Sequence, residues 1–225
     1  RDLNRVGEPI DPNYWGMTPP TVNAYYSPTR NEIVFPAGIL NPPFFDYEAD
    51  DATNYGSAGV IIGHEITHGF DDNGSLYDAD GNLKSWWTPE DREKFEARAQ
   101  KIEEQYDAYV VLDSIHLNGK LTLGENIGDL GGMAIAFEAM KINQEEKGRK
   151  TVDGLTDEQR FFLAYAKMWR IKFRDKTLEN QVKTDTHSPG YYRANGVLSN
   201  FEEFHKAFDV PKGAKMRRDE INSIW

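Results

Sequence analysis

The residues best placed to do chemistry sit in one run, Gly63-His64-Glu65-Ile66-Thr67-His68-Gly69-Phe70-Asp71-Asp72. Residues four apart share one face of a helix and lie about 6 Å apart along its axis. His64 and His68 can therefore offer two imidazole nitrogens to one metal ion. Glu65, beside the first of them, can act on an attacking water without coordinating the metal. This is the H-E-x-x-H arrangement of metal-assisted hydrolysis, two ligands and a general base. A surface helix that happens to carry two histidines is the plainer alternative. The approach Val60, Ile61, Ile62 is apolar, and a buried helix with polar groups at this spacing needs something to satisfy them. A third ligand decides the matter.

Gly124-Glu125-Asn126-Ile127-Gly128-Asp129-Leu130-Gly131-Gly132 offers one. Glu125 and Asp129 are four apart, and an uncompensated pair of buried carboxylates is costly. A cation between them and the histidines removes that cost. Glu125 is then the third zinc ligand, and Asp129 accepts from a histidine N–H and fixes its tautomer. Taken alone, the pair fits equally well an acidic helix start favoured by the helix dipole.

These residues need elements to hold them. A chain of 225 residues can bury a substantial core and reads as one domain, 1–225. Aromatic residues make up 12%, which argues against disorder. The net charge of −11 disfavours nucleic acid and anionic membranes as partners. No apolar run is long enough to cross a bilayer, and no signal-like opening is visible. The first residue is Arg1 rather than Met, as in a processed chain or a fragment. The absence of cysteine removes thiolate ligands, cysteine catalysis and disulfides. It fits a reducing compartment such as the cytoplasm, or a bacterial envelope or periplasm, without choosing between them.

Residues 1–20 read as an irregular lead-in. Thr21–Tyr26 and Glu32–Phe35 are β-prone around a turn at Ser27–Asn31, and predict a hairpin. Pro36–Phe45 is an extended apolar loop. The histidine helix is expected from about Asn54 to Phe70, with Gly56, Gly59 and Gly63 marking close approach of another backbone. Loop follows to Trp87; within it Asp78–Asn82 reads as a turn rather than a calcium loop. Thr88 caps a helix with Pro89 in its first turn, and Phe95, Ala99, Ile102, Tyr106 and Tyr109 form its apolar stripe. Its charged residues, Lys101 among them, form a solvated face. A second helix spans about Glu125 to Lys147, with Ile127, Leu130, Ala134 and Phe137 on one side. Another starts at Thr156, striped by Phe161, Phe162, Tyr165, Met168 and Trp169, and a helical segment resumes before Lys183. Thr184–Gly196 is polar and turn-rich, and Ser199–Glu202 resembles a capping box opening a last short helix. The fold class is α+β, mainly α.

His64-Glu65-Ile66-Thr67-His68-Gly69-Phe70-Asp71, Glu125-Asn126-Ile127-Gly128-Asp129 and Asn23-Ala24-Tyr25-Tyr26 together resemble the neprilysin family. That family includes neprilysin, the endothelin-converting enzymes and bacterial oligopeptidases, and the resemblance runs from the hairpin to Trp225. It implies a zincin-like gluzincin fold with a buried HExxH helix, and zinc-dependent cleavage of oligopeptides with one Zn2+ per chain. It assigns zinc to His64, His68 and Glu125, with Glu65 as base and Asp129 behind the histidine. By the same resemblance His187 donates to the oxyanion, Asp185 orients it, and Arg193 holds a substrate carbonyl. Read without it, His187 is a histidine in a polar loop. The resemblance further implies that Asn23 and the Ala24 backbone pair with an extended substrate. It places Ile39, Phe44, Val60, Ile61, Met168 and Trp169 around the side chain just past the scissile bond. Their apolar character agrees with a preference for a bulky hydrophobic residue there, although each read singly is a core residue. Two departures stand out. Family chains are far longer, with a mostly helical N-terminal region that closes over the site, and animal members carry disulfides. A bacterial member fits better. The alternatives are a zinc-binding but catalytically weak peptide-binding module lacking its cover, and a metal-free structural domain.

Overall fold

The computed structural model describes residues 6–8, 11 and 13–225, so the expected lead-in lies partly outside the described residues. The chain is mainly helical with two small antiparallel sheets, as the α+β reading requires. The hairpin forms from β1 (Tyr25–Ser27) and β2 (Glu32–Val34), shorter than the sequence suggests, in the register Tyr25 to Val34. The Pro36–Phe45 loop contains a 3-10 turn at Ala37–Ile39.

The histidine helix is not one regular α-helix. It starts at α1 (Asp51–Asn54), where the Asp50 side chain accepts from the Thr53 amide. It widens into a π-helical turn over Tyr55–Gly59, continues as α2 (Val60–Thr67) and tightens to a 3-10 turn at His68–Phe70. Two glycines explain its course. A Cβ on Gly56 would stand 2.1 Å from the Phe161 carbonyl oxygen, and one on Gly63 would stand 2.8 Å from that of Gly132.

Next come α3 (Pro89–Asp107), a second hairpin of β3 (Val110–Leu112) and β4 (Ile115–His116), and α4 (Leu123–Lys147). The expected cap of α3 is present, Thr88 accepting from the Asp91 amide. Phe95, Ala99, Ile102 and Tyr106 are buried as one stripe. Its charged face does more than meet water: Lys101 reaches Glu220 at 2.5 Å, and Arg98 donates to the Ile224 carbonyl, pinning the C-terminal segment. Along α4, Ile127, Leu130 and Phe137 are buried, but Ala134 is exposed. It borders a cleft between α4 and the C-terminal segment.

Helix α5 (Asp157–Met168) has a reciprocal cap between Thr156 and Gln159, and its five-residue apolar stripe enters the core. After α6 (Asp175–Thr184), the stretch read as turn-rich contains a helix, α7 (Gly190–Leu198). Burial of Arg193, Val197 and Leu198 overrides the local glycine, asparagine and proline content. The last helix, α8 (Glu202–Ala207), lacks the expected capping box. Ser199 instead donates to the Gly196 carbonyl at the end of α7, and Phe201 stands at the cap without a side-chain bond. In the core α2 lies against α4, while α1 and the π turn lie against α5.

Candidate metal centre

Glycine sets the distance between the two helices that carry the site. A Cβ on Gly132 would meet the His64 nitrogen and the Val60 oxygen at 2.6 Å; on Gly128 it would meet the His64 ring at 2.8 Å. Only without those side chains can α4 lie directly on α2. At that approach His64, His68 and Glu125 each offer one atom, all within 4.8 Å of one another. His64 Nε2 is 3.3 Å from Glu125 Oε2, and His68 Nε2 is 3.7 Å from Oε1. Glu65 is 5% exposed on the same helix.

The other nitrogen of each histidine faces a carboxylate. His64 Nδ1 lies 2.9 Å from Asp129 Oδ1, though out of line for a good hydrogen bond. His68 Nδ1 is 2.7 Å from Asp71 Oδ2, whose other oxygen accepts from the Asn73 and Gly74 amides. The sequence reading missed Asp71. Its signal was position, three residues after His68 and within reach of the same helical face.

Asp129 is held in turn by Arg193, whose Nε and one terminal nitrogen fork onto its two oxygens at 2.7 and 2.6 Å. The guanidinium lies over the Trp169 ring, 4.0 Å from its centroid. His187 Nε2 reaches Glu125 Oε1 at 3.2 Å, and its Nδ1 is 2.8 Å from Asp185 Oδ1.

Charge follows from this crowding. Burial opposes a charged His64, but Asp129 and Glu125 outweigh it and push the imidazole up to about 9. Burial likewise opposes ionisation of Glu125, yet His64 and Arg193 hold its carboxyl below the usual range. Asp129 is lowered against its burial by Arg193. Glu65 has no such partner at contact, and burial raises it. Glu125 Oε2 is buried without a hydrogen bond. Two imidazoles and one carboxylate, one of whose oxygens is buried without a hydrogen bond, are a donor set that fits zinc.

Residues 23–224 match peptidase family M13. The chain belongs to that family. The chain is 44% identical over 227 residues to an endothelin-converting enzyme homolog of Locusta migratoria, and 42% identical over 231 residues to human neprilysin. Each alignment takes in 100% of this chain and 31% of the relative, so the chain spans about a third of the length of those M13 proteins. Among solved structures, the zinc metalloprotease Zmp1 of Mycobacterium tuberculosis, in complex with an inhibitor, superposes with a TM-score of 0.95. It is 46% identical over 100% of this chain and 35% of that one. PepO from Lactobacillus rhamnosis gives a TM-score of 0.84 at 37% identity, over 93% of this chain and 32% of that one. The zincin-like fold expected from the sequence is therefore the M13 fold.

The remaining expected site residues divide. Asn23 is exposed and Ala24 buried, immediately before β1, whose outer edge pairs with no strand among the described residues. Ile39, Phe44 and Ile61 line one wholly apolar cavity of about 280 Å3, together with Ile33, Phe35 and Ile62. Val60 and Met168 are buried but not among that cavity's lining, and Trp169 stacks under Arg193. Among the described residues, no helix is long and apolar enough to cross a membrane.

Proposed function

We propose that this chain is the catalytic portion of a bacterial zinc endopeptidase. It hydrolyses oligopeptides that carry a bulky hydrophobic residue just after the scissile bond. The reading rests above all on the convergence of His64, His68 and Glu125 within 4.8 Å, with Glu65 one residue along the same helix. A cysteine-free chain and the likeness to two bacterial M13 structures support a bacterial source.

In this reading one zinc ion is held by His64, His68 and Glu125. When bound it supplies Lewis acidity, polarising a carbonyl and acidifying water to a pKa of about 7. Glu65 accepts the proton as water attacks the peptide carbonyl, and returns it to the leaving amine. Its upward shift from burial brings it closer to the neutral range where a general base works best. His187, oriented by Asp185, donates from Nε2 to the tetrahedral oxyanion. Asp129 steadies His64 and is steadied by Arg193, whose second terminal nitrogen would reach a substrate carbonyl. Asn23 and Ala24 continue the line of β1 and would take an extended peptide by strand addition. Ile61 and Ile62 precede Glu65 by four and three residues on α2, so the apolar cavity they line opens on the same helical face. It supports the preference for a bulky apolar side chain, with Ile39 and Phe44 as its far wall. Residues 1–225 would form a single catalytic domain, covered in the longer protein by a further N-terminal region.

A second reading is that residues 1–225 by themselves bind zinc but hydrolyse peptides weakly. It is favoured by the share of the relatives that this chain spans. Zinc content and cleavage of a peptide series, with and without chelator, separate the two. Stoichiometric zinc and chelator-sensitive cleavage before Phe or Leu, but not before Gly or Asp, is the expected result. Zinc without cleavage points to the second reading, and no zinc overturns both.

A further inference from the structure

A buried hydrogen-bond chain joins the loop that carries His187 to the first turn of α4, which carries Glu125. Ser188, beside His187, donates from its hydroxyl to Asn126 Oδ1 at 2.9 Å. Asn126, beside Glu125, donates from Nδ2 to Thr122 Oγ1 at 2.9 Å, and Thr122 donates to the Asn118 carbonyl at 3.1 Å. Ser188 is 1% exposed, Asn126 0% and Thr122 2%. The chain is directional, and the side-chain groups it links are all partnered, as buried polar groups must be.

The location is what matters. Among the described residues, the other hydrogen bonds made by residues 185–189 stay within residues 181–193. The Ser188 hydroxyl is thus the hydrogen bond that fastens the His187 loop to α4. His187 itself is half exposed, and its Nε2 reaches Glu125 across the gap those two neighbours bridge. An amide and a hydroxyl with no route to substrate or metal are ideally sited to fix the separation of two groups that have one.

We propose that Asn126 and Ser188 are positioning residues that set where His187 stands relative to Glu125. They act on the oxyanion stage of the reaction rather than on zinc uptake or substrate binding. The inference rests on the role of His187 in the proposed hydrolysis, and the test separates the two.

On the zinc-loaded chain, Ser188→Ala is expected to lower kcat about tenfold, the size of one net hydrogen bond. KM and zinc affinity stay within twofold. In a His187→Ala background the same substitution should cost nothing further, which a purely structural role would not reproduce. Amide hydrogen exchange gives a readout independent of activity. In Ser188→Ala the His187 amide should exchange at least tenfold faster, with residues 60–67 unchanged. Equal losses of kcat with and without His187, a fall in zinc affinity instead of kcat, or unchanged exchange at His187 would each overturn the proposal. A wild-type chain that cleaves nothing removes the proposed hydrolysis, while the exchange experiment still decides whether the bond holds the loop.

Discussion

One helix presents two unlike faces. Toward α4, the α2 residues Val60, Gly63, His64 and Thr67 are buried, and glycine brings backbone against backbone. Away from it, Ile62, Ile66 and Phe70 recur every four residues and are 43%, 40% and 42% exposed. The inner face is tightly fixed because Gly63 and Gly132 meet backbone atoms that cannot rotate aside. The outer face is hydrophobic and only partly covered: Ile62 borders the apolar cavity, and the Phe70 ring meets Trp86 and Trp225 edge-on. The metal ligand His64 and the rigidity belong to the first face; the second borders the apolar cavity and keeps exposed apolar area that a further partner could cover.

That contrast can be broken in graded steps. Glu65→Gln should retain zinc but lower kcat by a factor on the order of 10²–10⁴, measured by peptide cleavage. Full activity would remove Glu65 as base. Without metal, His64 adds a pH dependence. Its folded pKa, about 9, lies above its ordinary 6.5, so its contribution is complete below 6.5 and is lost as pH rises through 9. Thermal melts of metal-free protein should therefore show up to about 3 kcal/mol lost over that window, and zinc, by displacing the proton, should abolish the effect. Gly132→Ala should cost about 1–3 kcal/mol in denaturant melts, since its Cβ would meet fixed backbone atoms of α2. Asp71→Ala should weaken zinc about 10–100-fold in chelator competition, by releasing the His68 ring. Ile66→Ala, on the outer face, should stay within about 0.5 kcal/mol in this chain. A larger loss in a longer chain would show that face to be covered there.

Much of the inner face was legible because its rules are local. The four-residue spacing of His64 and His68, the caps at Thr88 and Thr156, and the apolar stripes of α3 and α5 need only neighbouring residues to state. What stayed hidden depended on distant partners. Helix α7 forms from an unpromising stretch because Arg193 must reach Asp129, 64 residues away. Ser199 abandons a plausible cap for the Gly196 carbonyl. Ala134 falls on the apolar side of α4 by spacing, yet it is exposed at the edge of the cleft between α4 and the C-terminal segment. Asp71 was within reach of local reasoning, but its partner's free nitrogen becomes visible only once the metal-facing one is assigned.

The π turn at Tyr55–Gly59 has a mechanical consequence. A wide turn holds one residue more than α geometry would, so it shifts the angular phase of everything before it by about 100° relative to everything after. The upstream segment α1 can thus lie against α5 while the downstream segment independently aims His64 at Glu125. Deleting a single residue there would leave the zinc-side half in register and swing the other half off its neighbour, uncoupling two alignments that a uniform rod would force to agree.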